Sequence, residues 1–160
     1  MKHLMLCMKV FTTFIAIILP SVLSAQEAVQ SELVQISSPW ARASVGTMRP
    51  TAAYLTVVNT GEQIITITGV VSEVAVRSSI HETSVSADGV GTMKPVEEVH
   101  LSPGGTLEFK PGSYHIMLME LNEPLLEGAS TSLSLIFDDG SQKLFNVPIL
   151  SIGARSADAK

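Results

Sequence analysis

The sequence predicts an all-β domain, either a sandwich or a barrel of roughly seven to nine short strands. Two observations indicate this fold class. Apolar and polar residues alternate with a period of two in several segments, as in half-buried strands. Pro-Gly, Asp-Gly and Asn-Thr-Gly turns separate those segments at short intervals. Because no later segment has helical periodicity over more than two turns, we expect one domain, without internal repeats, over residues 35–151.

The first 25 residues are predicted to be a secretory signal peptide that does not belong to the folded domain. Lys2 and Lys9 supply positive charge, and an apolar run over residues 10–19 follows them. A run of about ten residues is too short to span a bilayer, but it suits a signal peptide. We expect cleavage near Ala25 and a periplasmic product. Cys7 precedes the apolar run, so a lipid anchor at the cleavage site is not expected.

Loss of that segment changes the charge and the set of reactive side chains. Lys plus Arg falls from 10 to 8 against 15 acidic residues, which gives a charge of about −7. This balance argues against nucleic acid as a partner, because phosphate recognition requires clustered cations. The one cysteine is removed as well, so the exported domain must rest on its hydrophobic core without disulfides. No stable membrane insertion is expected once the signal is removed.

The remaining elements can be placed in order along the chain. Residues 26–34 read as a flexible lead-in, Trp40 as a core aromatic, and residues 152–160 as a loose tail. The segments 51–59 and 64–71 are predicted to form a hairpin. Pro95 indicates an edge or irregular strand, and Pro148 indicates an edge strand. The predicted strands cover residues 51–59, 64–71, 74–83, 92–101, 106–109, 114–119, 131–137 and 144–150.

One of these strands, over residues 114–119, carries an unusual face. Its period of two places Ile116 and Leu118 on one side, which reads as ordinary core. His115, Met117 and Met119 share the other side. Imidazole and thioether groups together form a soft, neutral ligand set, and such sets favour Cu(I). The strand therefore predicts a copper-binding face.

Four residues form the candidate ligand set: His81, Met93, His115 and Met117. There are 11 residues between the first two and 21 between the second and third. Taken singly, a histidine at a strand end is more often solvated, and a methionine is more often core filler. Met119 is interpreted as a reserve donor, whereas His100 and Met48 are assigned no role.

The spacing resembles that of the PCu(A)C family of periplasmic copper chaperones, whose pattern is His, ten residues, Met, twenty-one residues, His-x-Met. Further similarity lies in Trp-Ala-Arg at residues 40–42, Met-Lys-Pro-Val at 93–96 and Pro-Gly-x-Tyr-His-Ile-Met at 111–117. The resemblance implies a cupredoxin-like Greek-key β-barrel that holds Cu(I) through the four candidate ligands. It also implies a copper-accepting partner, the copper subunit of cytochrome c oxidase or another chaperone. The loop before Met93 is one residue longer than in the family, so Met93 should be the most adjustable ligand.

Other classes of protein fit the sequence less well. No Gly-x-Ser-x-Gly elbow or other catalytic frame is present, so an enzyme is not expected. A blue-copper electron carrier would need a cysteine thiolate, and thioethers are poor ligands for zinc. The alternatives that remain are an exported β-sandwich adaptor that binds no metal, and a periplasmic protein for copper storage or detoxification.

Overall fold

The computed structural model describes residues 29–158, so the predicted signal peptide lies outside the described residues. Within that range the secondary structure is ten β-strands and one short 3-10 helix, Gln30–Glu32. No helix in this part of the chain has the length and apolar character that a membrane span requires. The strands are β1 Val34–Arg42, β2 Thr51–Asn59, β3 Ile65–Ser72, β4 Ala75–Val85, β5 Gly91–Val96, β6 Val99–Leu101, β7 Thr106–Phe109, β8 Tyr114–Leu121, β9 Ser130–Phe137 and β10 Gln142–Leu150.

The ten strands form one sheet in the order β5-β4-β8-β7-β2-β1-β10-β9-β3-β6. Strand β1 joins the two halves, because it pairs antiparallel with β2 and parallel with the end of β10. Its register shifts between Ser37 and Trp40, and Ser38 has a positive φ of 48°. Such a bulge bends the strand and increases its twist. Apolar side chains from both halves then pack in one cluster, so the sheet folds over on itself around a shared core.

The core arises from the period of two that the sequence displays. Over residues 53–57 of β2 and 133–137 of β9 every second side chain packs into the main core, and the side chains between them lie on the other face of the sheet. On β8, Ile116 and Leu118 are fully buried, as predicted. The inward-facing residues of the two most regular strands are Ala53, Leu55, Val57, Leu133, Leu135 and Phe137.

The predicted hairpin between the second and third strands is wrong. β2 pairs with β1, β7 and β8, whereas β3 pairs with β6 and β9 in the other half of the sheet. The connection after Asn59 therefore crosses between the halves. The Asn59 side chain is fully buried, and its amide donates to the carbonyl oxygens of Gln63, Leu101 and Ser102. These hydrogen bonds fix the connection after Asn59, and no local pattern in the sequence predicts them.

The C-terminal segment differs from the predicted loose tail. Ala154 is 3% exposed and packs with Trp40 and Tyr54, whose rings lie 4.4 Å apart. Nε of Arg42 donates to the Ala154 carbonyl oxygen at 2.9 Å. A buried alanine and a charge-assisted hydrogen bond fix this segment against the barrel. Trp40 is 4% exposed and is a core aromatic, as predicted.

The predictions for the two prolines have different outcomes. β5, which carries Pro95, forms one edge of the sheet, as expected for a strand that contains proline. β10, which carries Pro148, lies between β1 and β9 and is not an edge strand. Its pairing with β1 involves only Ile149 and Leu150, so the proline interrupts no pair on that side.

The lead-in, predicted over residues 26–34, also differs from the prediction, because Val34 already belongs to β1.

Candidate metal centre

The four predicted ligands lie on one face of the three strands β5, β4 and β8. His81 on β4 is directly opposite His115 on β8, and Met117 follows two residues after His115. Thr83, two residues after His81, is opposite Met93 on β5. Directly opposed residues and residues two apart in a strand share a face of the sheet. This face is the one turned away from the buried Ile116, so the fold brings together imidazole and thioether groups that are far apart in sequence.

Met93 and His115 make the closest contact in this group. Sδ of Met93 lies 3.3 Å from Nε2 of His115. Nδ1 of His115 is 2.9 Å from the Ser113 carbonyl oxygen, which can only accept a hydrogen bond. Nδ1 therefore carries the proton of the neutral ring, a tautomer inferred from this contact. Nε2 then presents its lone pair to the thioether sulfur. Two electron-pair donors that converge in this way suit a soft cation held by both.

His81 lies beside His115, with ring centroids 5.9 Å apart. Its Nε2 is 2.9 Å from the Ser79 hydroxyl oxygen, and its Nδ1 is buried and has no hydrogen-bond partner among residues 29–158. Burial, and secondarily the neighbouring His115, lower the pKa of His81 below its usual value. The lowered pKa favours the neutral ring, which is the form that binds a metal ion. An unpartnered buried ring nitrogen is an atom that a bound metal ion would satisfy.

Met93, His115 and Met117 line one cavity, and His81 does not line it. The opposite wall is the β1–β2 loop, residues 43–50, which contributes Ala43 and Arg49 among others. Met93 is 54% exposed, and His115 is 5% exposed. The cavity therefore has an inner imidazole and an outer thioether that solvent can reach.

The longer loop before Met93 does not displace this ligand. Residues 86–90 connect β4 to β5, and Gly89 adopts a positive φ of 78° at the tip. The antiparallel register beyond the tip is regular from Val85–Gly91 to Ile80–Val96. Met93 consequently belongs to a strand and not to a loop, and the extra residue is absorbed at the turn.

Other soft or imidazole groups lie away from this cavity. Met119, the predicted reserve donor, is opposite Arg77 and lines a separate cavity. His100 lies on β6 at the far edge of the sheet, where its Nδ1 is 3.1 Å from the Thr66 hydroxyl oxygen. Met48 is 92% exposed in the β1–β2 loop. Across residues 29–158, no group of three or more His, Cys, Asp or Glu residues could hold a metal ion.

Three contributors to the site were not predicted from the sequence. Ser79, which contacts His81, precedes it by two residues in a strand, so the period of two could have identified it. The Ser113 carbonyl oxygen and the Arg49 side chain gave no such signal. Their positions depend on the path of two loops, which local periodicity does not determine.

Comparisons with known proteins identify the family. A family model described as "Putative lipoprotein LpqE-like" matches residues 34–149. The protein "Putative lipoprotein Lxx21020" from Leifsonia xyli subsp. xyli is 37% identical over 132 residues, which are 82% of this chain and 78% of the relative. Protein RP573 from Rickettsia prowazekii is 32% identical over 120 residues, which are 72% of this chain and 66% of the relative.

Solved structures with the same fold are PCuAC domains. The apo PCuAC domain of PmoF2 superposes with a TM-score of 0.62 and 20% identity, covering 78% of this chain and 94% of that domain. The solution structure of CuI-DR1885 from Deinococcus radiodurans superposes with a TM-score of 0.57 and 26% identity, covering 75% of this chain and 80% of that protein. These matches confirm the predicted all-β, cupredoxin-like fold and the resemblance to the PCu(A)C family.

Proposed function

The chain belongs to the LpqE-like family and has the fold of PCuAC domains, and from this premise we propose that it is a Cu(I)-binding copper chaperone. Support comes from the neighbour of 26% identity, whose solution structure is of its CuI form. The proposed ligands are those predicted from the sequence: His81, Met93, His115 and Met117. The protein would act by binding and releasing an ion, without catalysing a reaction.

The observation that carries the proposal is the approach of Met93 Sδ to Nε2 of His115, at 3.3 Å. The hydrogen bond at Nδ1 orients the ring so that the lone pair of Nε2 points at the sulfur. Hydrogen bonds of this kind commonly fix the tautomer of a ligating histidine. Met117 lines the same cavity, and His81 adds a buried, unpartnered nitrogen next to it.

The chemistry of the ligands accounts for the choice of ion. Two imidazoles and two thioethers are neutral and soft, a combination that favours Cu(I) over zinc and over harder cations. Thioethers also avoid the disulfide formation that thiolates undergo in an oxidising compartment. The 54% exposure of Met93 supports transfer, because an incoming ligand from another protein could reach the ion on that side.

We further propose that the protein works in the periplasm after removal of residues 1–25 and delivers copper towards the copper centre of cytochrome c oxidase. The amino-terminal charge and apolar run support export. The recipient is inferred from the family resemblance. A storage or detoxification protein would use the same ligands, so delivery requires its own test.

Copper binding is tested by titration of the chain from residue 26 onward with Cu(I) in competition with a chromophoric chelator. We expect one Cu(I) per chain, with much weaker binding of Cu(II) and zinc. Calorimetry that shows zinc binding as tight as Cu(I) would overturn the ligand assignment. Absence of stoichiometric Cu(I) uptake would favour the alternative of an adaptor without metal.

Delivery is tested by mixing the Cu(I)-loaded protein with the copper-free copper-binding domain of cytochrome c oxidase and following the absorption of the acceptor. Transfer that is faster than release to the chelator alone would support a chaperone. Copper that leaves only at the rate of spontaneous dissociation would indicate storage.

A further inference from the structure

The cavity that contains Met93, His115 and Met117 is also lined by two arginines, Arg42 and Arg49. Within the described part of the chain, no acidic side chain lines it. The whole chain, in contrast, carries 15 acidic residues against 10 basic ones. A cationic cavity on an acidic protein is unexpected from composition alone, because acidic side chains outnumber basic ones and could readily neutralise it.

Neither of the two arginines that line the cavity has an acidic partner among the described residues, unlike Arg77 and Lys110 elsewhere on the domain. Arg77 pairs with Glu120 at 3.1 Å on the same sheet. Within residues 29–158, neither Arg42 nor Arg49 forms an ion pair with a carboxylate. Guanidinium groups without a protein carboxylate at a concave surface are suited to an anion from outside.

The two arginines differ in their contacts with the rest of the domain. Nε of Arg42 donates to the Ala154 carbonyl oxygen, and its guanidinium carbon lies 5.5 Å from the centroid of the Tyr54 ring. These contacts hold Arg42 in place and leave its two terminal nitrogens without an acceptor in the described part of the chain. Arg49 is exposed in the β1–β2 loop, and its side chain forms no hydrogen bond with residues 29–158. Packing therefore explains the position of Arg42 but not that of Arg49.

We propose that this cavity binds a carboxylate anion between Arg42 and Arg49, next to the metal ligands. Planar guanidinium groups match the geometry of a carboxylate and can donate two parallel hydrogen bonds to it. The carboxylate can come from a free organic acid or from an Asp or Glu side chain of a protein that exchanges copper with this one.

The link to copper rests on the proposed function. All four proposed ligands are neutral, so a bound Cu(I) adds one positive charge to the cavity. An anion and a cation in one cavity attract each other, and each should then increase the affinity of the other by the same factor. The anion site itself does not depend on this coupling, because the arginines are charged with or without copper.

The anion site is tested on the metal-free protein with sodium malonate, followed by NMR chemical shifts. We expect saturable shifts at residues around the cavity, and weaker binding as sodium chloride is added. Arg49→Gln should weaken malonate binding by about 3- to 5-fold, in the range of a partly exposed charge pair. Arg77→Gln is the matched control, because it removes an exposed arginine that lines a different cavity. Absence of saturable shifts, or equal effects of the two substitutions, would overturn the proposal.

A second arm identifies the source of the carboxylate. A short peptide with two aspartates is titrated in the same way as malonate. Binding at least about tenfold tighter than malonate would assign the site to an acidic segment of a protein, since peptide contacts then add affinity. Equal or weaker binding would assign it to a free organic acid. Protein that binds malonate but not Cu(I) would overturn the proposed chaperone alone, whereas protein that binds Cu(I) but not malonate would overturn only the anion site.

Discussion

At the scale of single residues, His115 combines two contacts that have different purposes. Its Nδ1 donates to the Ser113 carbonyl oxygen and fixes the ring, and its Nε2 faces Met93. The residue is 5% exposed, so neighbouring residues enclose the ring and restrict its rotation. A ligand fixed by burial and by a backbone hydrogen bond needs little reorganisation to bind an ion.

His115 is held more rigidly than Met93, and this difference predicts a ranking of the ligands. We expect His115→Ala and Met117→Ala each to weaken Cu(I) binding more than Met93→Ala, because Met93 lies on the exposed edge strand β5. Each of the two larger losses should reach at least about 10- to 100-fold, since even indirect disturbance of metal sites commonly costs that much. Competition with a chromophoric chelator measures all three affinities.

Met119 provides the matched control for that series. It shares β8 and the same strand face with Met117 but lines a separate cavity. We therefore expect Met119→Ala to leave Cu(I) affinity unchanged, and its effect to be additive with Met93→Ala. If the double variant loses much more Cu(I) affinity than the two single losses added together, Met119 acts as a reserve donor. Unaltered affinity in His115→Ala would contradict the whole ligand assignment.

His81 predicts a dependence of stability on pH. Its pKa is lowered in the folded protein, mainly by burial, whereas the unfolded residue titrates near about 6.5. Between those two values the unfolded chain binds more protons, so the free energy of unfolding decreases as the pH falls through that range. Below the folded pKa this contribution becomes constant. The low pKa also keeps the imidazole available for copper in mildly acidic solution.

Urea unfolding of the metal-free protein between about pH 7 and pH 5 measures this effect. The wild type should lose more stability over that interval than His81→Gln, which cannot titrate at this position. Parallel loss in the two proteins would show that burial of His81 does not resist its protonation.

At the scale of elements, the pattern of β8 was sufficient to predict much of the site. Alternation in residues 114–119 places Ile116 and Leu118 in the core and hence His115 and Met117 on the opposite face. The wall formed by the β1–β2 loop and the pairing of β3 could not be predicted in the same way. Both depend on contacts between distant segments, such as the Ser44 hydroxyl oxygen accepting from the Leu125 backbone N–H.

The C-terminal segment provides a prediction at this scale. Ala154→Asp should place a charge against the buried pair of Trp40 and Tyr54, and burial of an unpaired charge is strongly unfavourable. We expect a loss of stability of about 2 kcal/mol or more and a red shift of the fluorescence of Trp40, the one tryptophan of the chain.

The neighbouring Arg155→Ala is the control, because Arg155 is exposed and should change neither quantity appreciably. Chemical denaturation and emission spectra measure both variants. A normal emission spectrum and normal stability in Ala154→Asp would mean that the segment does not cover Trp40 in solution.

At the scale of the whole molecule, alternation and turn signals predicted the fold class and the net charge argued against nucleic acid, but neither located the charge on the surface. The excess of acidic residues gives no indication of a cavity lined by two arginines, because that lining combines the β1–β2 loop with residues of β5 and β8 that are distant in sequence. The folding of the ten-stranded sheet over on itself likewise depends on the bulge at Ser38, which has no clear signature in the sequence.

Copper should also stabilise the domain as a unit. Ligands on three strands bind one ion only in the folded state, so free Cu(I) at about 100 times its dissociation constant should add about 2.7 kcal/mol to the free energy of unfolding. The melting temperature should rise accordingly in the wild type and much less in His115→Ala. A rise of equal size in both proteins would indicate copper binding elsewhere.

X-ray absorption at the copper edge of the Cu(I)-loaded protein tests the central claim most directly, because it reports the atoms bound to the ion. The proposed site predicts a shell of nitrogen from His81 and His115 together with sulfur from Met93 and Met117. Met117→Ala should reduce the sulfur contribution by half, and Met119→Ala should leave it unchanged. A shell of nitrogen and oxygen without sulfur, or one that Met117→Ala does not alter, would contradict the proposed copper site.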